Sequence, residues 1–110
     1  MTVKVSELAS TEGFGIISLP DGEREIGGVY IGDLLSWVMG RAKADDAWIT
    51  IMSNINIVAV ASLADVACII LAEGVQLDKA VTETAQAKGI NVLSCTMPAY
   101  EAAKTFFGKL

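Results

Sequence analysis

Residues 47–74 read AWITIMSNINIVAVASLADVACIILAEG, a pattern that predicts a strand, a short helix and a second strand. The predicted helix has almost no polar face, because residues 57–61 follow one another without a charge. A helix that is apolar all round is normally buried, and so short a chain has little room to bury one on every side. We therefore expect a partner subunit to cover it. The residues assigned to this homodimer interface are Ile57, Val58, Val60 and Ala61.

The composition describes a single domain with an excess of apolar residues. The chain has 110 residues, enough for one hydrophobic core, so we expect one domain over residues 1–110. Hydrophobic residues make up 53% and charged residues 19%, a balance that favours a subunit with a contact face. The net charge of −5 and the scattered lysines and arginines argue against a nucleic-acid partner, which needs a clustered basic surface.

The sequence predicts no metal site, no cofactor and no membrane span. It contains no histidine, and Cys68 and Cys95 lie far apart, whereas zinc needs about four close ligands. We expect Cys68 to be buried, whereas Cys95 could be partly exposed. A membrane helix over residues 54–72 would place Asp65 near the middle of the bilayer, at a cost of roughly 2.5–3.5 kcal/mol. No signal-peptide pattern is present, so we expect a cytoplasmic protein with reduced cysteines.

Turn residues and apolar periodicity predict the remaining elements. Thr2 is expected to cap a first helix that ends at Gly13, and Asp33 a second one whose buried face is Leu34, Leu35 and Val38. The other helices are expected at 56–64, 78–88 and 98–107, and the strands at 14–19, 26–31, 48–52, 67–72 and 90–94. Near-continuous apolar strands separated by helices predict an α/β fold with a parallel sheet covered on both faces.

Ligands of such sheets bind outside the carboxyl ends of the strands, near helix N-termini. The candidate ligand-binding residues in these loops are Asp33, Ser53, Asn54, Asn56, Glu73, Gly74 and Thr96. Asp33 and Asn56 also fit helix caps, the interpretation we favour for both, and Gly74 suits a turn. Without histidine, a general base would be a carboxylate or lysine with a shifted pKa. Only Asp33 and Glu73 are placed for it, and no nucleophile has a neighbouring base, so we expect no catalytic residue.

Four segments of the chain resemble the DRTGG domain family. They are GVYIGDLL at 28–35, WIT at 48–50, NIVAVA at 56–61 and IILAEG at 69–74, and the likeness covers nearly the whole length. Related domains occur in certain phosphate acetyltransferases, between the CBS modules of some pyrophosphatases and, more distantly, at the N-terminus of HPr kinase/phosphorylase. The resemblance implies a three-layer α/β domain with a mostly parallel sheet flanked by helices. Such domains commonly dimerise and serve regulation or assembly, without known catalysis of their own.

The chain departs from the family pattern at the strand ends. The family's Asp-Arg pair would follow the strand at 48–50, where this chain has Ser53-Asn54. The Thr-Gly-Gly would close the next strand, where this chain has Ala72-Glu73-Gly74. The absence of the arginine argues against an anion site at this position.

Two functions follow from these features. The first is a non-catalytic regulatory or scaffolding module that acts as a homodimer. Free-standing family members occur in anaerobic bacteria beside iron-only hydrogenase and signalling proteins, so the resemblance implies a partner in a redox or signalling system. The alternative is a small-molecule sensor that binds a nucleotide or another anion at the strand ends. A small enzyme using Glu73 or Asp33 is the least favoured interpretation.

Overall fold

The computed structural model describes residues 3–107 of the chain, and the side chains of residues 3–105. Seven strands alternate with five helices in the described part. The strands are β1 (Val3–Lys4), β2 (Phe14–Ser18), β3 (Glu25–Ile26), β4 (Gly28–Ile31), β5 (Asp46–Thr50), β6 (Cys68–Leu71) and β7 (Val92–Cys95). The helices are α1 (Val5–Ala9), α2 (Leu35–Arg41), α3 (Asn56–Ala64), α4 (Lys79–Ala87) and α5 (Ala99–Phe107).

Five of the strands form one mixed sheet in the order β2-β7-β6-β5-β4. Strands β4, β5, β6 and β7 run parallel, and β2 pairs antiparallel with β7. The predicted α/β fold with a mostly parallel sheet is confirmed. The carboxyl ends of the four parallel strands therefore meet at one edge, where ligands of such sheets bind.

Each face of the sheet carries its own apolar core. Alternate side chains of β5 point to opposite faces, so Ile49 joins one core and Trp48 the other. The first core is closed by α1, α5 and the β1/β3 pair, and the second by α2, α3 and α4. The domain thus has three layers, as the family resemblance implied. No helix of the described residues is long and apolar enough to cross a membrane.

The N-terminal prediction needs correction. The expected cap, Thr2, lies outside the described residues. The first helix begins at Val5, after a two-residue strand, and the backbone N–H of Lys4 donates to Oε1 of Glu7 at 3.0 Å. Strand β1 pairs with β3, so the single strand predicted over 26–31 is two strands separated at Gly27. This pairing joins segments more than twenty residues apart, and the local apolar periodicity does not predict it.

Helix α2 also differs from its prediction. Its N-cap residue is Leu34, not Asp33, and Val38 is its only fully buried residue. Leu34 is 58% exposed, and Leu35 is partly buried against the second core. The helix packs against α3 and joins the core that contains Trp48 and Tyr30, and only one narrow side of it is covered.

Of the four residues assigned to a dimer interface, Ile57 and Ala61 have no exposed surface, so for them the assignment is wrong. Val58 and Val60 reach the surface only at the grooves beside the helix. The predicted bounds of α3 are confirmed, but all four side chains lie in the second core of the protomer, at most 5% exposed. The helix packs on the sheet between α2 and α4, and these neighbours cover three of its sides. Its outward residues are Asn56, Ala59, Ser62 and Leu63.

Arg24 holds two loops at the amino ends of the central strands. Its Nη2 lies 3.0 Å from Oδ1 of Asp45 and 2.9 Å from Oδ1 of Asp65. Both aspartates have a left-handed backbone, with φ of 69° and 58°. Asp45 precedes β5, and Asp65 follows α3 shortly before β6. A single guanidinium therefore ties the starts of both central strands to the β3 segment.

Because Val60 is a core residue, Val60→Glu is expected to unfold the domain instead of dissociating a dimer. An uncompensated buried charge costs about 3–5 kcal/mol, a large part of the total stability of a small domain. Urea unfolding followed by circular dichroism measures the effect. Ala80→Glu, on the exposed side of α4, is the matched control and should stay within about 0.5 kcal/mol of the unmodified chain. A Val60→Glu chain of unchanged stability would contradict the burial of this side chain.

Candidate functional site

The predicted ligand-binding residues lie along the carboxyl edge of the sheet, in the loops after β4, β5, β6 and β7. The prediction that these four loops share one edge is confirmed. The edge consists of two groups. Asp33 is bonded to the end of β5, whereas the Glu73-Gly74 turn is bonded to the residues after β7. Within the described residues, no side-chain hydrogen bond joins the two groups.

Asp33 braces the loops after β4 and β5. Its Oδ1 accepts a hydrogen bond from Oγ1 of Thr50 at 2.8 Å and another from the backbone N–H of Ile51 at 3.0 Å. Thr50 is fully buried and also accepts the backbone N–H of Met52. The expectation that Asp33 caps α2 is therefore wrong. Its carboxylate satisfies donors of the neighbouring strand end, which leaves it less free to act on a ligand.

The side chain of Asn54 bonds to the first residue of α3. Its side-chain oxygen accepts the backbone N–H of Asn56 at 2.9 Å, the local bond of an Asx turn. Asn56 is the first residue of the helix and Ile55 its N-cap, without a side-chain cap bond, so the capping role predicted for Asn56 is wrong. Ser53, Asn54 and Asn56 are exposed, and they present amide and hydroxyl groups at this end of β5.

The turn after β6 adopts an uncommon backbone conformation. Glu73 and Gly74 have φ of 59° and 71°, in the left-handed region that glycine adopts readily and other residues rarely. The backbone N–H of Glu73 donates to the carbonyl of Met97 at 2.9 Å, and that of Gly74 to the carbonyl of Cys95 at 2.8 Å. The predicted turn at Gly74 is confirmed. These two bonds place the turn beside Thr96, whose side chain is exposed.

The charges of the edge all have one sign. The segments 32–34, 51–55, 72–78 and 96–98 contain Asp33, Glu73 and Asp78 but no lysine or arginine. A phosphate-bearing ligand needs positive side chains or free backbone donors. The edge offers carboxylates in their place, and the N–H groups of Glu73 and Gly74 are already bonded. The site is therefore poorly suited to a nucleotide or another anion.

Neither cysteine fits a reactive site. Cys95 is 1% exposed, so partial exposure of this side chain is not observed. Burial raises the pKa of both thiols, that of Cys68 to about 12, and keeps them protonated at neutral pH. No cluster of at least three potential metal ligands occurs among the residues that the structure describes.

Sequence reasoning missed the outer surface of the α2–α4 layer. Large apolar side chains are exposed there, namely Leu34, Trp37, Met39, Ile55 and Leu63. The guanidinium of Arg41 stacks on the ring of Trp37, with 3.7 Å between the guanidinium carbon and the ring centroid. The signal was present in the sequence, because residues 47–64 contain no charge. The apolar pattern of α3 predicts a contact surface on residues that point inward, whereas the exposed large apolar residue of this helix is Leu63.

Comparison with known proteins agrees with this fold. The family model described as "DRTGG domain" matches residues 5–106. The search of curated proteins gave no match. Among solved structures, the CBS and DRTGG domains of the regulatory region of Clostridium perfringens pyrophosphatase, complexed with the activator diadenosine tetraphosphate, are similar, with a TM-score of 0.77 and 16% identity. The match covers 94% of this chain and 45% of that one, so this chain corresponds to less than half of that structure. At this identity the likeness shows a shared fold.

Asp33→Ala is expected to lower the free energy of unfolding by about 1–3 kcal/mol, because the Thr50 hydroxyl and the Ile51 N–H lose their acceptor. Thermal and urea unfolding measure the loss. In a double-mutant cycle with Thr50→Val, the double variant should be less destabilised than the sum of the two single variants. Glu12→Ala, which removes an exposed carboxylate, should be nearly neutral. An Asp33→Ala chain as stable as the Glu12→Ala chain would exclude the bracing role.

Proposed function

This chain belongs to the DRTGG domain family, and on that premise we propose that it is a non-catalytic regulatory or scaffolding module that acts as a homodimer. The similar pyrophosphatase segment is described as a regulatory region, which supports the regulatory part of the proposal. By resemblance to free-standing members of the family, we also propose a cytoplasmic location and a partner in a redox or signalling system.

The surroundings of the two candidate general bases support a non-catalytic role. At the carboxyl edge, one of the two acids placed for general-base chemistry, Asp33, already accepts two hydrogen bonds from the protein. The other, Glu73, is exposed at a turn, without a neighbouring nucleophile in the sequence. Proton transfer in catalysis needs a base within hydrogen-bond reach of a positioned reacting group.

The observation that carries the proposal is the exposed apolar surface of the α2–α4 layer. Leu63 is 72% exposed and Trp37 54% exposed, although both lie on helices whose inner sides pack in the core. A group of large apolar side chains at the surface marks a contact with another protein. Five of the large apolar side chains that are exposed in the described residues lie on this layer, whereas the carboxylates of the strand ends lie at the edge of the sheet.

A small-molecule sensor is the second candidate. It is favoured by the similar pyrophosphatase region, whose structure is a complex with diadenosine tetraphosphate. Separately, Ser53, Asn54 and Thr96 are exposed at the carboxyl edge of this sheet. The negative charge of the edge argues against a sensor of anionic ligands, since carboxylates repel a phosphate chain. We therefore place it second.

The unmodified chain is expected to be a dimer at micromolar concentration. Burial of the exposed apolar side chains by a second copy supplies the free energy of association. Light scattering coupled to size exclusion, repeated over a range of concentrations, measures the mass. A well-folded monomer throughout that range would overturn the homodimer.

A screen of diadenosine tetraphosphate, mononucleotides, inorganic phosphate and acyl phosphates is expected to leave the melting temperature unchanged. A ligand at one hundred times its Kd would stabilise the fold by about 2.7 kcal/mol, and in a domain of this size each kcal/mol is roughly 4–8 °C. The Asp33→Ala chain confirms that the assay resolves such differences. A reproducible shift that Asn54→Ala abolishes would replace the scaffold with the sensor.

A further inference from the structure

Two apolar grooves flank the outward side of α3. The groove between α2 and α3 has a volume of about 480 Å³ and is lined by Leu35, Ser36, Met39, Asn56, Ala59 and Val60. The groove between α3 and α4 has a volume of about 350 Å³ and is lined by Ile55, Asn56, Val58, Ala59, Ser62, Leu63, Thr84 and Lys88. Asn56 and Ala59 border both grooves and so form the ridge between them. We call the ridge and its two grooves the α3 surface.

We propose that the α3 surface is where two copies of the chain meet, with α3 packed against α3 of the second copy and Ala59 next to the two-fold axis. The inference rests on the proposed homodimer and assigns its contact residues. Helices pack by placing the ridge of one into the groove of the other. A small residue on the ridge allows the two helices to approach closely.

Self-complementarity identifies the occupant as a second copy. A two-fold contact uses the same patch on both subunits, so that patch must hold both the projecting group and the hollow that receives it. The α3 surface holds both. Leu63 projects from the surface and is the most exposed of its large apolar side chains. An apolar groove lies on either side of Ala59. A surface built for an unrelated partner needs only one of the two.

The distribution of charge points the same way. Two copies that each carry a net charge of −5 repel one another, so a contact between surfaces without carboxylates is favoured. The residues that line both grooves include no aspartate or glutamate, and Lys88 is their one charged member. The carboxyl edge of the sheet, with its three carboxylates, would bring like charges together.

The size of an ordinary interface sets how far the contact extends. Such an interface buries about 800 Å² of each partner, roughly a seventh of the chain's accessible surface of 5653 Å². A contact of that size extends beyond the two grooves onto the adjoining surfaces of α2 and α4.

Single charges on the ridge test the assignment. Leu63→Glu and Ala59→Glu are each expected to raise the Kd of the dimer by about a hundredfold or more, since the charge would be buried without a partner. Both positions are exposed in the protomer, so circular dichroism and the melting temperature of the subunit should show a folded chain. Ile16→Glu is the matched control, because Ile16 is also a largely exposed aliphatic residue, on the far edge strand β2. It should leave the dimer intact.

A small cross-linking residue tests the two-fold axis. Ala59→Cys should form a disulfide-linked dimer under mild oxidation, because residue 59 of one copy lies beside residue 59 of the other. Non-reducing electrophoresis and native mass spectrometry measure the linked species, and the natural Cys68 and Cys95 are at most 1% exposed. Ile16→Cys is the control, and an Ala59→Cys chain that links no better than this control would overturn the placement of Ala59.

The outcomes separate this inference from the proposed function. A monomeric unmodified chain overturns both. A dimer that survives Leu63→Glu and Ala59→Glu, with both variants folded, overturns the α3 surface and leaves the homodimer standing. Dissociation by Trp37→Glu alone would move the contact to the outer side of α2 and likewise overturn the α3 surface. Dissociation by the two α3 variants but not by Ile16→Glu is the expected result.

Discussion

The rest of the structure depends on burying the two central strands on both faces. All five residues of β5 and all four of β6 are buried, so each face of the sheet must be covered by an apolar layer. The polar groups at the ends of β5 must then find partners inside the protein. Thr50 donates to Asp33, and Asp46 accepts the backbone N–H of Lys43. No buried side-chain polar atom of the described residues lacks a partner, because the strand-end loops supply these bonds.

The sequence predicts the elements with strong local patterns. The long apolar runs and the Asp78 and Gly89 boundaries of α4 placed the central strands and helices within about two residues of their observed ends. The errors concern pairing over long distances. The β1/β3 strands depend on each other, and Asp33 acts on Thr50 only because β4 and β5 lie side by side in this register. A local pattern indicates that a residue suits a helix cap. It does not predict which distant group will donate a hydrogen bond to that side chain.

The departures from the family pattern change the strand ends without changing the fold. The TM-score of 0.77 at 16% identity shows that the apolar framework tolerates extensive substitution, as cores of constant pattern do. The turn after β6 shows how. Glu73 has a left-handed backbone, which glycine adopts readily, and its N–H bonds to the carbonyl of Met97. The turn therefore forms here without glycine at this position, and the side chain of Glu73 adds a negative charge to the edge.

Helix α3 carries apolar residues on its inner and on its outer side, for two separate reasons. Its inner residues, such as Ile57 and Ala61, have no exposed surface and pack in the core between the sheet and the neighbouring helices. Its outer residues, Ala59 and Leu63, contribute nothing to that core, and Leu63 leaves most of its side chain in water. An isolated domain gains no stability from an exposed leucine at this position, because the apolar group avoids water only on contact with another surface. The inner apolar residues follow from the fold of one chain, whereas the outer ones are the residues that the proposed dimer would bury.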